Sequence, residues 1–142
     1  MANAPKSYLT FRLAGQDLAM EAARVRAILP PSELLSVAAR TGLLGVTTLK
    51  GQTVAVLDLC SKLGLPQAGP SPRPKIVVLE VFAEGCPHLA GFVADRVSDV
   101  VTYRQRDLCN GVLKGKGRPR RLIDFDCLVK EEDLAGLWSV SP

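Results

Sequence analysis

The sequence contains few of the residues that build catalytic or metal centres. Histidine occurs once, at His88, and no two cysteines form a Cys-x-x-Cys pair. The four cysteines are Cys60, Cys86, Cys109 and Cys127. Cysteines at this spacing do not provide the ligand pairs of a zinc site. We find no nucleophile and base at a catalytic spacing, and we expect a protein without a metal, without a cofactor and without enzymatic activity.

Long apolar runs and an export signal are also lacking. No stretch approaches the ~20 apolar residues that cross a bilayer. Residues 1–7 carry no apolar segment of the kind found in secretory signals. Disulfides form in oxidising compartments, which a protein reaches by export. Because no export signal is seen, the cysteines are expected to be reduced. These features predict a cytoplasmic protein with no direct insertion into a membrane.

Aromatic residues are scarce, at 5% of the chain, and this affects how the positive charge is interpreted. The net charge is +4, and much of the excess lies in Lys114–Arg121, Lys-Gly-Lys-Gly-Arg-Pro-Arg-Arg. Such a segment either binds nucleic acid or an acidic partner, or connects two strands through solvent. Because base stacking needs aromatic rings, the solvated connection is favoured and no nucleic-acid partner is expected.

Apolar residues, at 47% of 142, are sufficient for one domain with a sizeable core. The chain is organised around Gly45–Leu59. Two apolar runs in this stretch flank Lys50-Gly51, which predicts a hairpin whose tight turn needs positive φ at the glycine. The second run, from Thr53 to Leu59, is nearly continuous. It predicts a strand that is buried on both faces or lies between two packed layers.

The other predicted elements are short. Period-two alternation over Tyr8–Leu13 predicts a half-buried strand. Asp58 is placed to cap a helix over Leu59–Leu63, which Gly64 ends. Further strands are predicted at Leu18–Met20, Arg26–Leu29, Lys75–Phe82, Leu89–Ala94, Val97–Tyr103 and Arg121–Ile123. Less regular structure is predicted at Glu21–Val25 (helical turn), Ser32–Leu44 (a loop with some helix), Leu108–Leu113 (irregular), 127–130 (turn) and 131–138 (helix).

The two halves of the chain are similar in sequence. Arg24–Leu29 matches Arg96–Val101, and Val56–Leu63 matches Leu122–Val129. Each half is therefore predicted to be a small all-β unit of about five short strands. Strands this short and apolar avoid exposed edges by closing into small barrels.

The predicted fold is mainly β, with two barrel subdomains in one domain over 1–142. The first barrel covers 8–66 and the second covers 75–130. Residues 67–74, rich in proline and glycine, form the linker between them, and 131–142 form a closing helix and tail. Neither barrel is large enough to be stable alone, so the two are expected to pack together and leave a groove.

Four segments resemble the CheW-like family of chemotaxis coupling proteins, and they follow one another along the chain in the same order as in the family. The family's central pattern, roughly G-V-x-N-L-R-G followed by V-x-D-L, is matched by Gly45–Gly51 and Val56–Leu59. Its second pattern, G-x-V-V-D-x-V-x-D-V, is matched by Gly91–Val100. The opening and closing elements are matched by Phe11–Leu13 with Val25–Ile28, and by Leu122–Asp124. The resemblance covers about residues 8 to 130.

This resemblance implies two SH3-like five-stranded barrels and an adaptor that acts by protein binding alone. Its partners would be the cytoplasmic helical hairpin of a chemoreceptor and the regulatory domain of a CheA-type histidine kinase. The partner-binding residues are expected at the central turn and on nearby apolar strands: Lys50, Gly51, Gln52, Thr53, Ala23, Ala27, Val93 and Val97.

The sequence departs from the family pattern near the central turn. Lys50 replaces the family's arginine, which keeps the charge but loses the bidentate fork. Thr48, Ala55 and Ala27 replace an asparagine, a proline and a frequent acidic residue. Two alternatives therefore stay open: a diverged scaffold of a receptor–kinase pathway unrelated to motility, and a small basic barrel that binds nucleic acid through Lys114–Arg121.

Overall fold

The computed structural model describes residues 5–40, 43–66, 72–83, 85–114 and 117–125. The strands are β1 (Lys6–Leu13), β2 (Gln16–Glu21), β3 (Val25–Leu29), β4 (Leu35–Arg40), β5 (Leu43–Leu49), β6 (Gln52–Leu57), β7 (Lys75–Ala83), β8 (Cys86–Ala94), β9 (Arg96–Tyr103), β10 (Leu108–Cys109), β11 (Val112–Leu113) and β12 (Arg120–Leu122). One helix, α1 (Leu59–Leu63), and 3₁₀ turns at Ala22–Arg24, Pro31–Glu33 and Gln105–Asp107 complete the described elements. The predicted turn at 127–130, the predicted helix at 131–138 and most of the 67–74 linker lie outside the described residues.

The strands form two sheets, which confirms the predicted mainly β class. Sheet 1 has the order β10-β11-β12-β2-β1-β9, and sheet 2 has the order β3-β7-β8-β6-β5-β4. Within the described residues each sheet has six strands, one more than predicted. Most neighbours are antiparallel, but β12 pairs with β2, and β6 with β8, in parallel.

The sheets do not follow the predicted division of the chain at 67–74. β1 and β2 of the first half pair with β9 and β12 of the second half, whereas β7 and β8 of the second half join β3 to β6. The first half therefore does not form one sheet and the second half the other. The internal similarity did not indicate which strands pair.

Three apolar cores explain why several strands are buried on both faces. The central core lies between the two sheets and includes Phe11 and Leu18 of sheet 1 with Leu57, Leu79 and Phe92 of sheet 2. Smaller cores cover the other face of each sheet. The sheet 1 core contains Tyr8, Ala19, Tyr103 and Leu113. The sheet 2 core contains Val54, Val56, Ile76 and Val78.

β6 is the clearest case of a strand between two cores. Ala55 and Leu57 face the central core, and Val54 and Val56 face the sheet 2 core. All four are almost completely buried. The prediction that the run after the central turn is buried on both faces is confirmed. After β6, the Asp58 side chain accepts a hydrogen bond from the Ser61 amide at 3.3 Å, as expected for the cap of α1.

β1 is more deeply buried than its alternation predicted. Leu9, Phe11 and Leu13 face the central core as expected, but Tyr8 and Thr10 are buried too. The reason is that β1 lies inside sheet 1, between β2 and β9, and its second face is covered by the sheet 1 core. Thr10 is satisfied there, because its hydroxyl donates to the Asp99 carbonyl at 2.8 Å and accepts from the Asp99 amide at 3.1 Å.

Of the less regular segments, two differ from their predictions and one agrees. Ser32–Leu44 contains strand β4 and the beginning of β5, instead of a loop with some helix. Leu108–Leu113 forms the β10–β11 hairpin, since Asn110 and Gly111 both adopt positive φ in a tight turn. The helical turn predicted at Glu21–Val25 is confirmed, as a 3₁₀ turn over Ala22–Arg24.

Close backbone approach accounts for two glycines in the patterns noted above. A Cβ on Gly91 of β8 would lie 2.9 Å from the Val77 carbonyl oxygen of β7. A Cβ on Gly45 of β5 would collide with the Leu35 carbonyl oxygen of β4. Both positions exclude larger residues because a neighbouring strand occupies the space that a side chain would need.

Thr47 provides a test of core packing. It is 3% exposed in β5, and its hydroxyl has no hydrogen-bond partner among the described residues. A buried hydroxyl without a partner costs stability, so Thr47→Val is expected to raise the free energy of unfolding by about 1 kcal/mol in urea titrations. The matched control is Thr48→Val, which alters the next, exposed residue and should change stability by less than about 0.5 kcal/mol. A loss of stability in Thr47→Val would contradict this description of the core.

Candidate partner-binding surface

The turn between β5 and β6 holds the predicted basic residue at the tip of a hairpin. Leu49 and Gln52 form the last pair, and the two residues between them have φ values of 50° at Lys50 and 81° at Gly51. Two consecutive positive φ values define the two-residue turn whose twist suits a hairpin. Lys50, Gly51, Gln52 and Thr53 are all exposed. The predicted turn is therefore confirmed as a structure.

The hairpin tip is anchored on one side and open on the other. Leu49, just before the turn, packs partly buried against the sheet 2 core. Lys50 makes no ion pair with another described residue, so its ammonium group is accessible to an external carboxylate or carbonyl. At the same end of sheet 2, Phe82 at the end of β7 is 49% exposed and lies opposite Pro87 of β8. An accessible cation and an apolar ring thus lie at one end of the sheet.

Ala27 and Val93, two of the predicted apolar contact residues, face inwards. Both are partly buried against the sheet 2 core. Side chains alternate along a strand, and the residues that β3 exposes are Arg26 and Ile28, the latter at 44% exposure. Ile28 was not predicted as a site residue, although its place two positions after the charged Arg26, on the same face of the strand, was the signal that could have found it.

Ala23 and Val97 lie outside the strands of sheet 2. Ala23 is exposed in the 3₁₀ turn before β3, and its carbonyl accepts a hydrogen bond from Arg26 Nη1 at 2.8 Å. Val97 belongs to β9 of sheet 1 and packs against the central core. Further along β9, Val100 is 59% exposed. The eight predicted residues therefore do not line a single pocket: four lie in strands of sheet 2, Lys50 and Gly51 form the turn between two of those strands, Val97 lies in sheet 1 and Ala23 in a connection.

A cleft lies between the two sheets, where a groove was expected, but the residues that line it were not predicted. It has a volume of about 180 Å³ and is lined by Met20, Glu21, Arg24, Leu79, Leu122, Ile123, Asp124 and Phe125. None of the eight predicted residues is among them. Arg24 is held in place there, because its Nη1 donates to the Glu80 carbonyl at 3.1 Å and its guanidinium lies 5.3 Å from the centre of the Phe82 ring.

The cleft and the Lys50 turn offer charged groups beside apolar side chains, an arrangement suited to binding. The cleft presents two carboxylates and one guanidinium on an apolar lining. Among the described residues, no group of three or more histidine, cysteine, aspartate or glutamate side chains could hold a metal ion.

Comparison with known proteins identifies the family. The family model for the CheW-like domain matches residues 7–133. The chain belongs to the CheW-like family. CheW-like proteins are chemotaxis adaptors and scaffolds, so the family is one of binding proteins, not of enzymes.

Individual CheW proteins are similar along most of the chain. The chemotaxis protein CheW of Rhizobium meliloti (strain 1021) is 26% identical over 150 residues, covering 94% of this chain and 93% of that protein. A probable chemotaxis protein CheW of Rhizobium etli is 28% identical over 105 residues, covering 64% of this chain and 65% of that protein.

A solved CheW structure has the same fold. The crystal structure of the scaffolding protein TtCheW from Thermoanaerobacter tengcongensis matches with a TM-score of 0.75 at 19% identity, over 88% of this chain and 92% of that one. This supports the two-subdomain SH3-like arrangement for the two sheets described above. As for membrane spans, the described residues contain no helix with the length and apolarity needed for one.

Two substitutions of Lys50 that both remove its charge test the backbone conformation of the turn. Asparagine tolerates the left-handed region, whereas a β-branched residue does not. Lys50→Asn is therefore expected to change the free energy of unfolding by less than about 0.5 kcal/mol, and Lys50→Val to lower it by about 1–2 kcal/mol. Urea titration of both variants checks this, and equal stabilities would contradict the positive φ at Lys50.

Proposed function

We propose that this protein is a cytoplasmic chemotaxis adaptor that binds a chemoreceptor's cytoplasmic helical hairpin and the regulatory domain of a CheA-type histidine kinase. It would act by binding alone. The observation that carries the proposal is the match of the CheW-like domain to residues 7–133, nearly the whole chain. The names of the similar proteins, which include chemotaxis CheW proteins and a scaffolding protein, support it.

The exposed apolar residues support binding of a partner through strands and grooves. Ile28 on β3, Leu35 on β4 and Val100 on β9 are 44%, 67% and 59% exposed. β3 and β4 are the outer strands of sheet 2, and β9 is an outer strand of sheet 1. Apolar residues on such strands suit the apolar face of a helix or the strand of another barrel.

Lys50 suits a polar contact beside such an apolar surface. A lysine at a hairpin tip can reach a carboxylate or the carbonyl end of a helix without distorting the sheet. We propose that Lys50, Gly51, Gln52 and Thr53 contact the receptor hairpin. Ala23, Ala27, Val93 and Val97 would support the neighbouring apolar surfaces.

The first experiment asks whether both partners bind. The purified protein should be captured by the kinase regulatory domain alone and by the receptor's cytoplasmic hairpin alone, and the three should form a complex together. Capture by neither partner would contradict the adaptor function. A different outcome is capture by a kinase and a receptor of a pathway unrelated to motility and not by chemotaxis partners. That result would support the adaptor function but assign it to the other pathway.

The second experiment concerns Lys50. Lys50→Glu is expected to weaken receptor binding about 10-fold, because an attractive charge becomes repulsive. Lys50→Asn, which keeps the turn, should lose less, and Lys50→Arg should bind at least as well because it restores the bidentate fork. Isothermal titration with the receptor hairpin measures all three.

Lys75→Glu is the matched control for Lys50→Glu. Lys75 is exposed and pairs with Ala94 at the end of sheet 2 remote from the β5–β6 turn, and the charge change is identical. It should bind the receptor as the unaltered protein does. Equal binding by Lys50→Glu and the unaltered protein would remove Lys50 from the interface while leaving the adaptor function in place.

A further inference from the structure

A row of charged residues crosses sheet 1 at the end where β1 turns into β2. Arg12 of β1 lies opposite Arg96 of β9 on one side and opposite Asp17 of β2 on the other. β12 runs parallel to β2 in a register that places Arg120 beside Asp17. Arg96, Arg12, Asp17 and Arg120 therefore follow one another across four neighbouring strands, and we call them the arginine row.

The Asp17 carboxylate serves two arginines at this row. Arg12 Nε lies 3.5 Å from Asp17 Oδ1, and Arg118 Nη1, from the connection before β12, lies 3.6 Å from Asp17 Oδ2. Arg96 is exposed and makes no ion pair with another described residue. The nearby Asp95 uses Oδ2 to accept a hydrogen bond from the Ala14 amide at 2.9 Å. Positive charge therefore exceeds negative charge at this end of the sheet.

Stability does not explain this arrangement. Like charges directly opposite each other on neighbouring strands are destabilising, and Arg12 and Arg96 are such a pair. The exposed pairs with Asp17 contribute at most about 1 kcal/mol each. An arrangement that costs stability in the free protein becomes favourable when an external anion neutralises it.

The chemistry of the row favours carboxylates over nucleic acid. Guanidinium forks match carboxylates and phosphates alike with two parallel hydrogen bonds, so the bases of a nucleic acid are what separates the two kinds of partner. Bases would need an exposed ring to stack on, but Tyr103, whose hydroxyl accepts from Arg120 Nη1 at 2.9 Å, is only 1% exposed. Four strands at ~4.8 Å spacing give the row a width of about 14 Å, the length of about four extended residues.

We propose that the arginine row binds an extended acidic segment of a partner protein, with carboxylates on the guanidinium groups of Arg96 and Arg12. This surface lies on sheet 1, whereas the Lys50 turn lies on sheet 2, and the inference does not depend on the proposed adaptor function. It also gives the basic segment after Lys114 a role, because Arg118 and Arg120 complete the surface.

The test measures the binding of a fluorescein-labelled hexaglutamate peptide by anisotropy at about 50 mM salt, where surface charges are weakly screened. Arg96→Glu is expected to weaken binding at least ~10-fold. The matched control is Lys6→Glu, which makes the same charge change on β1 but lies six positions from Arg12, about 20 Å away. Among the described residues Lys6 forms an ion pair with the half-buried Glu21, at 3.4 Å, so this control should keep its fold and bind within ~2-fold of the unaltered protein.

Several outcomes would overturn the proposal. Undetectable binding, or equal losses in Arg96→Glu and Lys6→Glu, would mean that the row is not a specific site. Tighter binding of a thymidylate oligonucleotide of matched charge would replace the acidic peptide with nucleic acid. Circular dichroism checks the fold of each variant. If Arg96→Glu does not fold, Arg96→Gln takes its place. This variant is expected to bind the peptide ~3-fold or more weakly. Unchanged peptide binding by Arg96→Gln would overturn the proposal.

Discussion

The packing of the two sheets against each other is the interaction on which the whole structure depends. At its centre, Phe11 of β1 lies 5.0 Å from Phe92 of β8, and Phe92 lies 5.4 Å from Phe125, measured between ring centroids. Three of the four phenylalanines in the chain therefore meet between the sheets. In a sequence with few aromatic residues, this concentration gives the central core much of its buried area and fixes the sheets face to face.

The central core also determines where partners can bind. Because one face of each sheet is used for the contact between sheets, and the other face encloses a smaller core, little large apolar surface is left on the faces themselves. What stays accessible is the hairpin tips, the outer strands and the ends of the sheets. The Lys50 turn, Ile28, Val100 and the arginine row all occupy such positions. A protein built in this way offers its edges to partners, and its packed centre holds those edges in a fixed relation.

The parts of the fold that were predictable depend on local sequence. Consecutive buried residues over Val54–Leu57 require cover on both faces, a glycine after Lys50 favours a tight turn, and an aspartate before Leu59 caps a helix. The same local signals failed for Tyr8 and Thr10, because their burial comes from β9, nearly ninety positions away in the chain. Strand pairing between distant segments leaves no local pattern, so the exchange of strands between the two halves was not predictable.

The candidate site was predictable to a similar extent. The turn at Lys50 could be predicted because its conformation depends on neighbouring residues, and the structure has the turn at the predicted position. The inward direction of Ala27 and the exposure of Ile28 depend on which face of β3 meets the sheet 2 core. The cleft brings Met20 together with Phe125, and the arginine row brings Arg12 together with Arg96 and Arg120. Such sites emerge only from the register of strands that are far apart in the chain.

The exchange of strands between the halves has a consequence for the order in which the protein can form. β1 ends at Leu13, but its neighbour β9 begins only at Arg96. At a synthesis rate of ~5–20 residues per second, the hairpin of β1 and β2 waits for roughly 5–20 seconds before sheet 1 can be completed. Its apolar face is uncovered during that time, and closing the sheet then requires contacts between remote segments, which form slowly. Completion of sheet 1 is thus expected to be a late step in folding.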